Sequence, residues 1–344
     1  MGPKRLLGTI YESAIRGIKN PQNIPPFLRN RIQSFPPRPH DYWYQLHYDS
    51  QSTKLNKFRE DEEWALIVLD ACRHDRFSKI APNYIDVNIE PVAAEAEDTF
   101  GYLRTCWSGE HDVDYVTGAA PVTNQEFDFS NETIEADGLT FKGEGLKNMY
   151  KGYIPSDHIS NIIEVWRDAW DESLGVCPPE PVTDRAIDIA PSSQRMVVHY
   201  FQPHEPYIGE TKLLGDVSSA DERLEGGAIG TGIWERVHSG EISDDDLLKA
   251  YDDNLRRVLD EVTLLLETLD QHFDRIAIMG DHGEALGEYG KYTHSIPHPY
   301  VRKVPWGIIQ DFSSNSGTNR YQRSNPVDRH ENSVEDRLEE LGYI

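Results

Sequence analysis

Two apolar stretches of the chain end in side chains that commonly bind metal ions. The stretch "EWALIVLDACRHD" reaches Asp70 after an unbroken apolar run, and "FDRIAIMGDHGE" places Asp281 and His282 directly after another. Carboxylate oxygens and an imidazole nitrogen form a mixed ligand set that suits one divalent ion such as Mn²⁺, Zn²⁺ or Ca²⁺. The alternative is structural: Asp70 caps a helix, and the Asp-His pair forms a turn. Two such strand ends, with nearby glycines that permit close backbone approach, favour the metal site.

A third apolar run, "RMVVHYFQPHEPY", supplies further imidazoles. We predict that His199, which lies inside the run, is an ordinary core histidine, whereas His204 lies where the run ends. Glu284 and Glu288 follow the Asp-His pair along the chain. We predict that these two carboxylates orient His282 and its loop, as groups next to a metal ligand often do.

The elements that must position these residues alternate along the chain. Unbroken apolar runs are typical of strands that are covered on both faces of a parallel sheet. Before the last run lies "SDDDLLKAYDDNLRRVLDEVTLLLETLDQH", which has Ser243 as a helix cap, acids in the first turn and Leu/Val at helical spacing. This alternation predicts an α/β fold with a doubly wound, mostly parallel sheet. Ligands of such sheets bind beyond the carboxyl ends of the strands, so polar residues at different strand ends are expected to converge.

We expect three parts in the chain. Residues 1–59 combine an amphipathic N-terminal helix with a proline-rich connector, residues 60–325 form the catalytic domain, and residues 326–344 form a tail helix. Stretches rich in turn residues at 123–145 and 209–232 are predicted to be surface insertions near the mouth of the site. No apolar run of the N-terminus is long enough for a signal peptide or a membrane span, but its basic helix predicts weak contact with a membrane surface.

The charge balance narrows the range of partners. The chain has 34 Lys and Arg against 59 Asp and Glu, a formal net charge of −25. Such a surface is soluble where high salt screens charge, which indicates a salt-loving source. It lacks the basic footprint that nucleic-acid binding requires, so no nucleic-acid partner is expected. The three cysteines form no CxxC pair, which favours a reducing, cytoplasmic location over a disulfide framework or a thiolate zinc site. The sequence leaves the oligomeric state open.

Several motifs together resemble the alkaline phosphatase superfamily, and within it the sulfatase-like branch. "LDACRHD" is similar to the first strand of that branch, where a metal-binding Asp begins the spacing D-x-x-R-x-D. "GDHGEALGEYGKYTH" is similar to its late motif, which runs from Asp-His-Gly-Glu to a distant His. "PHEPY", "RKVPW" and the terminal "RLEELGYI" resemble further elements in the same order. The resemblance covers about Trp64 to Ile344, and a haloarchaeal member is expected from the acidity.

The resemblance implies a large three-layer α/β/α sandwich and a set of site residues. Asp70, Asp281 and His282 are implied to bind one divalent metal ion together with the nucleophile. By alignment the nucleophile is Thr99 in "AEAEDTFGYLRTCWSG", although the acidic "EAED" replaces a small-residue turn. The alternative is an ordinary helix start, in which Asp98 or Thr99 caps the exposed amides. No cysteine lies in the Cys/Ser-x-Pro-x-Arg pattern, so a formylglycine nucleophile is not expected.

His204 and His294 are implied to line the leaving-group side, where imidazole can donate a proton near neutral pH. Either histidine could instead belong to a second metal site. One metal ion is favoured, because Gln202 stands at a position where an acidic ligand would be needed.

The expected function is a metal-dependent sulfatase-like hydrolase or transferase. Its substrate would be an anionic sulfate or phosphate ester, carried on a glycan or a lipid-linked sugar. A phosphodiesterase or phosphomutase-like activity of the same superfamily is the competing enzymatic hypothesis. A catalytically silent protein that binds an anionic glycan or a partner is the hypothesis from another class.

Overall fold

The computed structural model describes residues 47–124, 133–136, 139–142, 150–215 and 231–311. The predicted N-terminal helix and the tail helix of residues 326–344 lie outside this part of the chain. The described strands, in chain order, are β1 (Trp64–Asp70), β2 (Asp86–Ala93), β3 (His111–Thr117), β4 (Thr133–Ala136), β5 (Leu139–Lys142), β6 (Ile159–Glu164), β7 (Arg195–Pro203), β8 (Arg275–Gly280), β9 (Ala285–Leu286), β10 (Tyr292–Thr293) and β11 (Lys303–Asp311).

The described α-helices lie between these strands. In chain order they are α1 (Gln51–Phe58), α2 (His74–Ile80), α3 (Thr99–Cys106), α4 (Val165–Asp168), α5 (Pro179–Ile189), α6 (Thr231–Ser239), α7 (Asp244–Leu269) and α8 (Pro299–Arg302). Within the part of the chain that the structure describes, no helix is both long enough and apolar enough to cross a membrane.

One seven-stranded sheet organises the molecule, with the strand order β2-β11-β8-β1-β7-β3-β6. The central strand β1 pairs in parallel with both β7 and β8, and β3 pairs in parallel with β6 and β7. Only the pairings made by β11, with β2 and β8, are antiparallel within this sheet. The prediction of a mostly parallel α/β sheet is therefore confirmed, and β1, β7 and β8 end side by side at one edge.

Strand β1 shows why the sheet is covered on both faces. Every one of its residues is buried, and successive side chains enter opposite cores. Leu66 and Val68 pack on the face that α1 and α3 cover, while Ile67 and Leu69 pack on the face that α2, α5 and α7 cover. Two helical layers on a central sheet confirm the three-layer sandwich.

The apolar interior, rather than the acidic surface, holds the strand ends in place. Burying one Leu, Ile or Val side chain contributes about 1.5–3 kcal/mol, whereas an exposed ion pair contributes about 0–1 kcal/mol. Leu66, Ile67, Val68 and Leu69 are all fully buried. The last residue of β1 is therefore attached to one of the most firmly packed segments of the fold.

Helix α7 begins and packs as its sequence predicts. The Ser243 side chain caps the helix by accepting a hydrogen bond from the backbone N–H of Asp246, and three aspartates occupy the first turn. The buried face of the helix lies on β7 and α5. This long crossover connects β7 to β8 through the layer opposite α1 and α3.

The predicted surface insertion at 123–145 contains a pair of short strands among its described residues. The structure describes an antiparallel pair there, in which Thr133 of β4 pairs with Lys142 of β5 and Ala136 pairs with Leu139. The sequence carried a signal for this pair, because Asp-Gly lies between the two short strands and favours a tight hairpin connection. Of the stretch at 209–232, residues 216–230 lie outside the described residues.

Candidate active site and metal centre

The carboxyl ends of β1 and β8 bring two aspartates together. Asp70 is the last residue of β1, and Asp281 directly follows β8. The Asp281 Oδ1 atom accepts hydrogen bonds from the backbone N–H groups of Ala71, at 3.0 Å, and His282, at 2.7 Å. These bonds fix one oxygen of the carboxylate and leave Oδ2 for the centre of the site.

A glycine lets the chain after Asp281 pass close to the backbone of α8. The Gly283 N–H donates to the carbonyl of Val301 at 2.7 Å, and a Cβ atom at this position would lie 2.1 Å from the carbonyl oxygen of Tyr300. Only glycine permits this approach without displacing the backbone. The loop that carries Asp281 and His282 is thereby held against α8.

His282 presents one defined ring nitrogen to the two aspartates. Its Nδ1 atom lies 2.9 Å from the Gly283 carbonyl oxygen, which can only accept, so Nδ1 carries the proton of this hydrogen bond. The other nitrogen, Nε2, lies 3.3 Å from Asp70 Oδ1 and 3.5 Å from Asp281 Oδ2. A backbone carbonyl that fixes the tautomer of a histidine is the usual preparation of a metal ligand.

Thr99 is the first residue of α3, and its hydroxyl group points at this cluster. Its Oγ1 atom lies 3.2 Å from Asp70 Oδ2, 3.0 Å from Asp281 Oδ2 and 3.5 Å from His282 Nε2. The helix cap is supplied by Asp98 instead, whose Oδ1 accepts from the Gly101 N–H at 2.6 Å. The Thr99 hydroxyl is therefore free of the capping role and lies where four predicted site residues meet.

The four side chains fit a divalent cation. Asp70, Asp281 and His282 are fully buried, and Asp70 Oδ1 has no hydrogen-bond partner among the described residues. Burial raises the pKa of Asp281, and the negative charge of Asp70 raises it further. Two buried carboxylates, an imidazole and a hydroxyl group are a ligand set of the kind that holds Zn²⁺ or Mn²⁺.

His199 lies beside the same cluster, contrary to the prediction of an ordinary core histidine. Its Nδ1 atom is 2.9 Å from the Tyr115 hydroxyl oxygen, but its buried Nε2 has no hydrogen-bond partner in the described part of the chain. Potential ligand atoms of Asp70, His199 and Asp281 all lie within 4.8 Å of one another. Burial lowers the pKa of His199 to about 4, so the ring is neutral and able to bind a cation. His199 of β7 pairs with Val68 of β1, and this strand register places its side chain at the cluster.

A second cluster, formed by His204, Glu284 and His294, lies next to the first. Their potential ligand atoms are within 4.8 Å of one another, and Glu284 Oε1 is 3.6 Å from His294 Nδ1. The rings of His294 and His282 are 4.6 Å apart, so the two clusters are adjacent. Glu284 was predicted to orient His282, but its fully buried carboxylate faces the other two histidines instead. Both of its oxygens lack a hydrogen bond from any described residue.

The orientation of His204 is fixed by two residues that were not predicted from the sequence, Glu205 and Asn254. His204 Nδ1 lies 2.6 Å from the carbonyl oxygen of Glu205 and 3.1 Å from its carboxylate oxygen Oε2. The buried Asn254 side chain of α7 donates to the carbonyls of Pro203, at 3.2 Å, and His204, at 3.0 Å. Nε2 of His204 is therefore the ring nitrogen that is available to the second cluster. The sequence offered no periodic signal for Glu205 or Asn254.

Arg73 holds the outer side of the site together. Its guanidinium makes two hydrogen bonds to Asp75, at 3.0 and 2.9 Å, and an ion pair with Glu288 at 2.7 Å. It also lies 4.2 Å from the centre of the Tyr300 ring. Glu288 was predicted to orient His282 and its loop, and its ion pair with Arg73 ties the loop after β8 to the loop after β1.

The acidic stretch before Thr99 has structural partners of its own. Glu95 accepts from the N–H of Ser52 at 3.1 Å, and Glu97 pairs with Arg302 at 2.9 Å. Asp98 is the helix cap described above. The acids that replace a small-residue turn are thus engaged in local contacts.

Raising the pH is expected to destabilise the metal-free protein. Burial lowers the pKa of His282, but the charges of Asp281 and Asp70 outweigh this and raise it from 6.5 to about 10. The folded state then keeps a proton that the unfolded state releases, so this contribution to stability is complete below pH 6.5 and is lost as the pH rises towards 10. Differential scanning calorimetry of chelator-treated protein across this window would measure the effect.

His282→Gln is the control for this pH dependence, because it removes the titrating ring. The melting temperature of the variant should depend less steeply on pH than that of the wild type. Bound metal should flatten the wild-type curve, because metal binding displaces the proton. If the melting temperature of the metal-free wild type depended on pH as that of the variant does, His282 would not be the group that causes the pH dependence.

Comparisons with known proteins give similarity at the level of solved structures. No protein-family model matches the sequence, and no curated protein matches it. The soluble domain of lipooligosaccharide phosphoethanolamine transferase A from Neisseria meningitidis matches with a TM-score of 0.44 and 14% identity, over 72% of this chain and 75% of that chain. The Streptococcus pyogenes phosphoglycerol transferase GacH, in complex with sn-glycerol-1-phosphate, matches with a TM-score of 0.38 and 12% identity, over 88% and 78%. A 2-O GAG sulfatase matches with a TM-score of 0.42 and 13% identity, over 73% and 64%.

Proposed function

We propose that this protein is a metal-dependent, sulfatase-like hydrolase or transferase of the alkaline phosphatase superfamily that acts on a phosphate or sulfate ester. The observation that carries the proposal is the position of the Thr99 hydroxyl, 3.2 Å from the carboxylate of Asp70 and 3.0 Å from that of Asp281. A buried hydroxyl among two carboxylates and an imidazole is an unusual arrangement for a purely structural threonine. It is the arrangement expected of a nucleophile that shares a metal centre.

Asp70, Asp281 and His282 would hold the divalent ion, and Thr99 would complete the site. The chemistry that a bound ion supplies is a lowered pKa of the hydroxyl group and neutralisation of charge on the ester. Thr99 Oγ1 then attacks the phosphorus or sulfur atom, and its proton passes to a neighbouring carboxylate or to solvent. The bond to the leaving-group oxygen breaks, and a covalent Thr99 ester forms.

His204 and His294 would serve the leaving-group side. Their rings are 4.9 Å apart at the edge of the centre. A protonated imidazole donates its proton to the departing oxygen, and the neutral ring then removes a proton from the incoming water or alcohol. Water as the acceptor gives a hydrolase, whereas an alcohol gives a transferase. On the sequence resemblance alone, we place the substrate among esters of glycans and lipid-linked sugars.

A substrate panel with controlled metal content tests the proposal. Chelator-treated protein would be reconstituted with Mn²⁺, Zn²⁺ or Ca²⁺ and assayed on aryl phosphate, aryl phosphodiester and aryl sulfate probes, with and without a glycerol acceptor. Metal-restored turnover of at least one probe is expected. Preference for the diester would favour the phosphodiesterase alternative. Metal binding without turnover of any probe would favour the silent binding protein and overturn the enzymatic proposal.

The second cluster supports a two-ion alternative to this mechanism, in which His204 and His294 bind an ion instead of transferring a proton. The sequence favoured one ion because Gln202 stands where an acidic ligand was sought, and the Gln202 side chain donates instead to the Cys177 carbonyl at 3.1 Å. Glu284 supplies the acidic ligand from another strand end, next to His204 and His294. We therefore propose that these three residues can hold a second divalent ion.

Glu284→Gln is expected to remove the second ion while keeping the first. The change deletes the negative charge of the cluster without changing the size of the side chain, so the metal content should fall from two ions per chain to one. Elemental analysis after equilibrium dialysis would measure it. Glu288→Gln is the matched control, because Glu288 pairs with Arg73 and lies outside the cluster. A wild type that binds only one ion per chain would exclude the two-ion mechanism.

The remaining expectations from the sequence stay predictions. Cys72, Cys106 and Cys177 are buried free cysteines, which supports the proposal of a reducing, cytoplasmic location. A salt-loving source, the absence of a nucleic-acid partner and weak membrane contact of the N-terminal helix rest on composition and sequence pattern.

A further inference from the structure

The first turn of α1 reaches the backbone of the loop that carries Asp281. Gln51 is fully buried, although it is separated from this loop by more than 200 residues of chain. Its Nε2 group donates to the carbonyl oxygens of Gly280, at 2.7 Å, and Asp281, at 2.8 Å. Both hydrogens of one side-chain amide are therefore used on two successive carbonyls where the chain leaves β8.

The other end of the same amide contacts the helix that begins with Thr99. Gln51 Oε1 lies 3.6 Å from Sγ of Cys106, the last residue of α3, in a weak hydrogen bond donated by the thiol. Next to Gln51 in α1, the N–H of Ser52 donates to Glu95, which belongs to the segment leading into α3. The start of α1 therefore contacts the segments on both sides of the Thr99–Asp281 pair.

These contacts are costly to lose, because the amide and its partners are buried. A buried carbonyl without a donor is rare in folded proteins, and a side chain with both ends occupied has little freedom to move. The direct backbone contact between the two strand ends is long, since the Asp281 N–H lies 3.4 Å from the Leu69 carbonyl oxygen, and the Ala71 N–H holds only the Asp281 side chain, at 3.0 Å from Oδ1. Gln51 is thus placed to fix how far the Asp281 loop lies from α3.

We propose that Gln51 is a positioning residue that sets the separation between the Thr99 hydroxyl and the Asp281 carboxylate. This inference rests on the proposed function, in which the 3.0 Å spacing of these two groups forms the metal centre and aims the nucleophile. Displacement of a reacting group by about 1 Å can reduce a rate by about a hundredfold. Gln51 acts through Asp281 and Thr99 and does not touch substrate.

Gln51→Met tests the proposal, because methionine keeps the length and burial of the side chain and removes both donors. We expect kcat to fall about tenfold or more while KM changes less than twofold, since substrate binding groups stay in place. We also expect the dissociation constant for Mn²⁺, measured by isothermal titration calorimetry, to rise about tenfold. Gln51→Asn keeps an amide that is too short for both carbonyls, and smaller losses of the same kind are expected.

Leu55→Ala is the matched control in the same helix. Leu55 is fully buried in the core, so this change should lower the melting temperature without changing kcat or Mn²⁺ affinity once the protein is folded. The inference is overturned if Gln51→Met and Gln51→Asn keep wild-type kcat and Mn²⁺ affinity, or if they lose no more of either than Leu55→Ala does. A wild type that neither binds Mn²⁺ nor turns over any ester would instead refute the proposed function itself.

Discussion

Thr99→Ala is expected to reduce ester turnover by about 10³-fold or more, because it removes the nucleophilic oxygen and leaves the other site residues in place. The change deletes a hydroxyl that lies 3.2 Å from Asp70 and 3.0 Å from Asp281. Asp98 still caps α3, so the helix should form normally. Steady-state kinetics with the best probe of the ester panel would measure the loss.

Three further variants identify the reacting atom. Thr99→Ser keeps the hydroxyl and should retain much of the turnover. Thr105→Ala removes a hydroxyl whose contacts all lie within the same helix, with the carbonyls of Gly101, at 2.8 Å, and Tyr102, at 3.3 Å, and with the Cys106 sulfur, at 3.8 Å, so it should leave kcat near wild type. Cys72→Ala should also remain active, which would separate this enzyme from one with a modified cysteine. Peptide mass spectrometry of acid-quenched enzyme should find the covalent ester on Thr99. Wild-type turnover in Thr99→Ala would refute the nucleophile assignment.

Asp281→Asn is expected to have opposite effects on the two states of the protein. It should weaken Mn²⁺ binding by about a hundredfold, because it removes one of the two negative charges of the centre. The metal-free protein should become more stable, because burial and the charge of Asp70 disfavour the ionised Asp281 carboxylate more than His282 favours it, as the raised pKa of Asp281 shows. Titration calorimetry and thermal unfolding with and without Mn²⁺ would measure both effects.

Asp75→Asn is the matched charge control for this experiment. Asp75 pairs with Arg73 on the outer side of the site, so its replacement should reduce stability without changing Mn²⁺ affinity. Activity of Asp281→Asn should fall with its metal content. If Asp281→Asn bound Mn²⁺ as tightly as the wild type, Asp281 would not be a ligand, and the centre would have to be sought in the second cluster.

The site shows which of its residues local sequence patterns can predict and which they cannot. Asp70, Asp281 and His282 were predicted because polar residues directly follow apolar runs, and parallel strands bring such ends to one edge. Thr99 came only from the resemblance to a family, since a threonine that begins a helix has the same local pattern as a cap. The structure separates these roles by giving the cap to Asp98 and turning the Thr99 hydroxyl towards the two aspartates.

Glu284 shows why the surroundings of a ligand are harder to predict. It lies two residues after His282, which suggested that it supports the same ring. At Gly283 the backbone passes close to Tyr300, and the Glu284 side chain that follows lies with His204 and His294. A close approach of this kind depends on what packs there from another part of the chain.

The sequence alone determined the layer architecture and the strand ends that carry the acids, because burial of apolar runs and the capping of helices are set by neighbouring residues. Only the tertiary structure decided that His199 faces the centre rather than the core alone, and that Gln51 reaches Asp281. Those two contacts depend on the register between strands and on a helix far away in the chain. Packing of distant segments fixes such distances to fractions of an ångström, and local sequence patterns do not encode them.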